Sequence, residues 1–336
     1  MLLKRWLFTL IIYSLIAASP GAAAEKKETS KVEITSASTP ILWRSPTDLA
    51  GRDLRYGPGG PEHQPQGEFT FVEEDTKGSN PKYVLRDSDG VKWKAKLGAE
   101  ARSETVATRL VWAAGYFADE DYFVTDIHVK NIPPKLHHGG KLIGPGGTMR
   151  NVRMERDRKG EKKIGNWTWR DNPFVGAREL NGLRVLMAML NNWDLKDVNN
   201  AILQTDGEQI YLVSDLGASF GAPGFAWPTR ESRDNLEAYK RSKLIRRTTP
   251  EYVDFTTPGR PALIRWVDPY HFVKRLKLRW IGKQIPREHA KWIGESLARL
   301  TPKQIRSAFE AAGYSSAEVE EFARAVEGRI AQLNEL

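Results

Sequence analysis

Hydrophobic and polar positions change period twice along this chain. Short runs at Phe69 to Val72, Lys82 to Leu85 and Val91 to Leu97 are separated by Gly78-Ser79-Asn80-Pro81 and by Asp87-Ser88-Asp89-Gly90. Runs of this length bounded by turn formers predict three antiparallel strands. After Gly98, the apolar residues Val106, Leu110, Val111 and Ala114 recur at helical spacing, and Gly115 closes the segment. That is a helix with one buried face and a glycine stop. Two further strands are predicted at Tyr122 to Val129 and Met149 to Met154. Between them His137, His138 and five glycines from Gly139 to Gly147 read as a loop insertion with no function assigned.

From Trp167 the pattern becomes mainly helical. Asn172 is expected to cap a helix with Pro173 at its first position, and Leu180, Leu183, Leu186, Met187 and Leu190 mark its buried stripe. Asp206-Gly207 is a strong two-residue hairpin turn between strands at Ala201 to Gln204 and Gln209 to Ser214. Pro286 to Leu336 holds three helical runs, broken at Leu300-Thr301-Pro302 and Gly313-Tyr314-Ser315. The architecture implied is α+β, with a small antiparallel-sheet lobe over 67–156 joined to a mainly helical lobe over 157–336. Residues 25–66 mix Ser, Thr, Pro and Gly, including Gly57-Pro58-Gly59-Gly60-Pro61, and read as a flexible lead-in that buries little apolar surface.

The first residues alter the picture of where the protein works. Lys4 and Arg5 precede an apolar run from Trp6 to Ala18, then Pro20, Gly21 and Ala22-Ala23-Ala24 lead into charged residues. This order predicts a signal peptide over 1–24 with cleavage after Ala24, since the run falls short of the roughly 20 residues that span a bilayer. A periplasmic or secreted location without a stable membrane anchor follows. Cysteine is absent, which excludes disulfides, thiolate metal sites and lipid attachment through cysteine. The rest of the composition, 40% apolar and 28% charged with 11 Trp, is that of a globular chain. The formal net charge of +9 falls by two when Lys4 and Arg5 leave. Its densest runs, Lys240, Arg241, Lys243, Arg246 and Arg247, then Lys274, Arg275, Lys277 and Arg279, have few aromatics among them, so a solvated face is expected and no nucleic acid.

The chemistry-bearing segment is Asn191-Asn192-Trp193-Asp194-Leu195-Lys196-Asp197-Val198-Asn199-Asn200, followed by Ser214-Asp215-Leu216-Gly217. If the Asp206-Gly207 turn sets the register, Thr205 faces Glu208, Leu203 faces Ile210 and Asn199 faces Ser214, which brings Asn199 beside Asp215. Neighbouring strands are roughly 4.8 Å apart, so the two side chains can share one hard cation such as phosphate-bound magnesium. Asp194, at the end of the buried helix, is placed to accept a proton from an attacking hydroxyl. Lys196 would oppose the charge of a phosphoryl group in transit.

Asp194-Leu195-Lys196 with Asn199 resembles a protein-kinase catalytic loop, and Asp215-Leu216-Gly217 resembles that family's metal-binding motif. The resemblance implies a bilobal kinase-like fold, with Asp194 positioning the nucleophile and Asn199 and Asp215 holding Mg2+ on ATP. It extends upstream to Lys96, similar to the phosphate-contacting lysine, and Glu104, similar to its glutamate partner; Lys94 and Glu100 are alternatives for these places. The sequence departs from ordinary protein kinases in having Asn192-Trp193 before Asp194, no glycine-rich phosphate loop beyond Gly78, and no Ala-Pro-Glu motif after Asp215. HipA-type, lipid and secretory-pathway kinases are the nearer likeness. The implied function is an exported atypical kinase acting on a hydroxyl of a protein, lipid or glycan. The alternatives are an exported pseudokinase and a wall- or glycan-binding protein that uses its tryptophans.

Overall fold

The computed structural model describes residues 38–76, 80–158, 160–222, 233–257 and 278–336. The expected signal peptide, Gly78, and Lys274, Arg275 and Lys277 of the second basic run lie outside the described residues. Ser38–Leu336 forms one compact unit of mixed α and β structure.

The chain enters through β1 (Thr39–Ile41), and then β2 (Phe69–Asp75), β3 (Lys82–Arg86) and β4 (Lys92–Lys96) form the three predicted antiparallel strands. Helix α1 (Glu100–Ala113) follows, then β5 (Asp121–Lys130) and β6 (Thr148–Arg156). The five strands close into a barrel in the order β2, β3, β4, β6, β5, sealed by parallel pairing of Phe69 with Val129 between β2 and β5. Strand alternation fills it: Tyr83, Leu85, Trp93, Ala95, Met149, Val152 and Met154 are buried inside, while Lys92 and Lys94 point out. The stretch holding His137, His138 and the glycines from Gly139 to Gly147 is the expected loop, and the main-chain amides of His137 and His138 both donate to Glu74 of β2.

A second apolar cluster lies in the helical part. Although α1 sits between barrel strands in sequence, its Val106, Ala107, Leu110 and Val111 bury themselves in this second cluster and not in the barrel's. Strand β7 (Lys162–Gly165), which no alternation announces, pairs with β8 (Asn200–Thr205). Helix α2 (Arg178–Met189) precedes the hairpin of β8 and β9 (Glu208–Val213), and β1 adds to β9 in parallel. The hairpin has the expected register, Thr205 opposite Glu208 and Leu203 opposite Ile210, with Gly207 at φ 82° supplying the left-handed turn. Helix α3 (Leu236–Arg241), strands β10 (Ile245–Thr248), β11 (Tyr252–Phe255) and β12 (Ile285–Pro286), and helices α4 (Arg287–Leu297), α5 (Pro302–Ala311) and α6 (Ser316–Asn334) complete the described chain. The two breaks predicted in the last three helices are capping boxes, Thr301 with Gln304 and Ser315 with Glu318.

Two expectations are corrected. Asn172 does not cap α2, which begins five residues later behind Ala177. Its Oδ1 instead accepts the Phe174 amide at 2.9 Å and its Nδ2 donates to Thr168 O at 2.9 Å, so the side chain closes a local turn in competition with a helix start. The stretch 38–66 is no lead-in of low burial: Leu42, Leu49 and Leu54 are at most 2% exposed. Gln304 of the α5 cap donates to Leu49 O and Arg52 O, both at 2.9 Å, and Trp43 Nε1 donates to Ala114 O at 2.8 Å. Apolar residues set singly among turn formers carry no period, yet each finds a slot built by distant elements. In the first basic run, Arg241, Lys243, Arg246 and Arg247 are exposed, as a solvated face requires.

Candidate active site

Alternation along β4 turns Lys94 and Lys96 to the same outer face of the barrel, but the two lysines meet different surroundings. Lys96 is buried at the start of α1, and its Nζ lies 2.8 Å from Glu100 Oε2, 2.7 Å from Glu104 Oε2 and 3.3 Å from Asp215 Oδ1. Glu100 and Glu104 stand one helical turn apart and share a face of α1, so both glutamates reach the same ammonium. Lys94 Nζ pairs with Glu155 Oε1 at 2.7 Å. Of the two lysine candidates, Lys96 is therefore the one brought to Asp215. Burial works against its charge, but Glu104 and Asp215 outweigh it and its pKa is raised. Burial likewise penalises the Asp215 carboxylate, and Lys96 with the Gly217 amide reverses this and holds its pKa below the usual range.

The ion pair at Lys96 continues inward. Arg153, opposite Lys96 across the β4 to β6 pairing, lies 3.6 Å from Glu104 Oε1, 2.7 Å from Asp121 Oδ2 and 2.8 Å from Glu155 Oε2. Asp121 in turn holds Arg109 of α1 at 3.0 Å. Glu104, Asp121, Arg109 and Arg153 are each at most 2% exposed. Burial raises the Glu104 pKa against the pull of Arg153 and Lys96. Buried charges persist only when paired and hydrogen-bonded, and this alternation of signs supplies the pairing.

Asp194, Lys196 and Asn199 form a second, more open group. Lys196 Nζ lies 2.6 Å from Asp194 Oδ1, and Asn199 Nδ2 donates to Asp194 O at 2.6 Å and Oδ2 at 3.2 Å. The Ser214 amide donates to Asn199 O at 2.8 Å, which sets Asn199 beside the residue preceding Asp215, as the hairpin register requires. With its nitrogen engaged by Asp194, Asn199 retains Oδ1 as an oxygen donor; Asp215 is 42% exposed. Two hard oxygens suit a magnesium ion. Glu100, Glu104 and Asp215 also converge, with ligand atoms within 4.8 Å of one another, but the cation in their midst is the Lys96 ammonium.

Asn192 is a residue the sequence reading placed only as a departure from the kinase pattern. It is fully buried, accepts the Asp194 amide on Oδ1 at 3.2 Å and donates through Nδ2 to Asp215 O at 3.5 Å, tying the two acidic segments together. Gly217 has a packing reason as well: a Cβ there would meet the Glu100 side chain at 2.8 Å, while its carbonyl accepts Ser103 Oγ at 2.8 Å. Glu100 is also engaged by Asn80 and Arg233. Arg153 and Glu155 went unnoticed although β6 alternation sets them on one face, because their partners come from α1, β4 and β5. A cavity of about 390 Å³ adjoins the group, with Val84, Lys94, Glu155, Leu203, Leu212 and Ser214 in its walls.

No protein family and no curated protein matches the chain. Among solved structures it is similar to the Helicobacter pylori proinflammatory kinase CtkA, at 13% identity and a TM-score of 0.44 over 81% of this chain and 98% of that one. At that distance the likeness assigns neither an activity nor a residue role to this chain.

Proposed function

We propose that this protein is an atypical kinase, with the barrel and the helical part as its two lobes, transferring a phosphoryl group from a magnesium-bound nucleoside triphosphate to a hydroxyl acceptor. The observation that carries the reading is the Lys96 ammonium, joined to Glu104 at 2.7 Å and to Asp215 at 3.3 Å across 119 residues of sequence. A buried lysine anchored on a helix glutamate and aimed at an exposed carboxylate would serve as a phosphate site beside a metal site. Asp215 and Asn199 would hold magnesium, which neutralises phosphate charge when bound; Lys96 would contact the phosphates. Asp194, 37% exposed, would take the acceptor's proton, and Lys196 would balance the charge on the moving group. The order of residues 1–24 supports export, to the periplasm or outside the cell, where the acceptor would be a protein, lipid or glycan hydroxyl.

Calorimetric titration of the purified chain with ATP and with GTP, each with and without magnesium, tests the reading. Wild type should bind in a magnesium-dependent manner, and Asp215→Ala should lose that dependence because phosphate charge is left uncompensated. Absence of any magnesium-dependent binding by folded wild type would refute the proposal.

A further inference from the structure

The cavity beside Asp215 has an apolar patch set in a mostly charged lining that includes Glu73, Lys92, Asp119, Arg156 and Asp157. Ala201, Leu203 and Leu212 come from the β8 to β9 hairpin and Val84 from β3, and Ser214, in the same wall, is covalently next to Asp215. At about 390 Å³ the space is of ligand size. Apolar side chains from two elements suit the faces of a flat ring.

In the segment leaving the barrel, the Arg156 amide donates to Glu120 O at 2.8 Å and the Asp157 amide to Lys92 O at 2.9 Å, so neither main-chain donor is free to read a base. Glu155 is spent too, with Oε1 on Lys94 at 2.7 Å and Oε2 on Arg153 at 2.8 Å. Glu73 and Asp157 also line the cavity, and so does Asp119, in the loop between α1 and β5. Its Oδ2 lies 3.8 Å from Arg153 Nη2, beyond hydrogen-bond range, and it makes no hydrogen bond among the described residues. That guanidinium nitrogen is itself buried without a hydrogen-bond partner among the described residues, Arg153 being 2% exposed. The Asp119 carboxylate, ion-paired to Arg153 but accepting no hydrogen bond among the described residues, keeps acceptor capacity for a ligand in the cavity.

We propose that this cavity takes a guanine base, with the Asp119 carboxylate accepting its N1–H and 2-amino hydrogens, so that the nucleotide of the transfer reaction, on which this inference rests, is GTP in preference to ATP. Guanine is the base whose Watson–Crick edge offers two adjacent N–H donors, the complement of a carboxylate with two acceptor oxygens. Adenine sets the N1 lone pair beside its amino group and cytosine the N3 lone pair, so each meets an ionised carboxylate with a repulsion. Uracil has one donor between two acceptors.

The protonation of Asp119 gives the selectivity a pH signature. Burial and repulsion from Glu155 push its pKa up to about 7, against Arg153 of β6, Lys94 of β4 and Arg158 after β6, the cations facing it. Above that value the carboxylate accepts from guanine. Below it the protonated acid can donate to adenine N1 and accept from the 6-amino group, and the discrimination narrows.

The test is calorimetric titration of the purified chain with GTP and ATP, each with magnesium, at pH 6 and pH 8, for wild type and Asp119→Asn. Wild type should bind GTP roughly 5- to 150-fold more tightly than ATP at pH 8, the range for a bidentate base contact, and less selectively at pH 6. Asp119→Asn, whose amide pairs with adenine N1 and its 6-amino group as well as with guanine O6 and N1–H, should lose the preference for GTP at both pH values. The pH dependence of wild type stands as its own measurement should the variant fold poorly. If both nucleotides bind equally or ATP binds more tightly at pH 8, or a folded Asp119→Asn keeps the wild-type ratio, guanine recognition is overturned while nucleotide transfer stands. If neither nucleotide binds wild type, the transfer reading fails and guanine recognition falls with it.

Discussion

The Lys96 cluster and the Asp194 cluster are built on opposite principles. Around Lys96, Glu104 and Arg153, side chains are at most 7% exposed and each charge has two or more partners of the other sign. Around Asp194 and Lys196, side chains are 37% and 39% exposed, and the ion pair stands in water's reach. Desolvation makes the first arrangement rigid and costly to disturb, since a buried charge left without a partner destabilises far more than an exposed one. The second can be approached by another molecule and rearranged cheaply. A binding site for fixed phosphate charge wants the first environment. A group that must receive a proton from an incoming hydroxyl wants the second.

The largest effect that can break this contrast is on the open side. Asp194→Asn should leave melting temperature and nucleotide affinity near wild type but reduce phosphoryl transfer by ~10²- to 10⁴-fold, the usual worth of a general base. The assay is transfer of labelled γ-phosphate to the protein or to an extract of the exported fraction. Equal transfer by wild type and variant would remove Asp194 from its role, and nucleotide binding without transfer by either would favour a pseudokinase. On the buried side, Glu104→Gln should lower stability by about 3 kcal/mol, the low end for breaking a buried pair because Glu100 and Asp215 still hold Lys96. Denaturant unfolding measures it, and a cost like that of an exposed pair would erase the contrast. The smallest effect concerns Asp215, which belongs to both settings. Its lowered pKa contributes stability above the ordinary carboxylate range that is lost as pH falls through the folded value. The side chain is 42% exposed, so the stability gap between wild type and Asp215→Asn should stay under about 1 kcal/mol and close as pH falls. Melts from pH 7 down to pH 3 check the sign.

Local chemistry alone determined several features of this protein. Asp206-Gly207 sets a hairpin register because a two-residue turn leaves one pairing, and that pairing carries Asn199 to Ser214 and hence beside Asp215. The three C-terminal helices were legible because their capping residues act within four positions of the sequence. Other choices waited for the tertiary structure. Glu100 and Glu104 are equally good helix residues, and only the approach of Lys96 to that face of α1 lets both reach it. Lys94 and Lys96 share a strand face, and only the neighbours Glu155 and Asp215 distinguish them. Asn172 is as good a cap in sequence as a turn, and its carbonyl partner on Thr168 decided for the turn. Leu42, Leu49 and Leu54 lack any period, so their burial depends on surfaces made by α1 and the C-terminal helices. Turns and caps are local interactions that a sequence spells out, whereas burial and the pairing of distant charges exist only once separate segments share one interior.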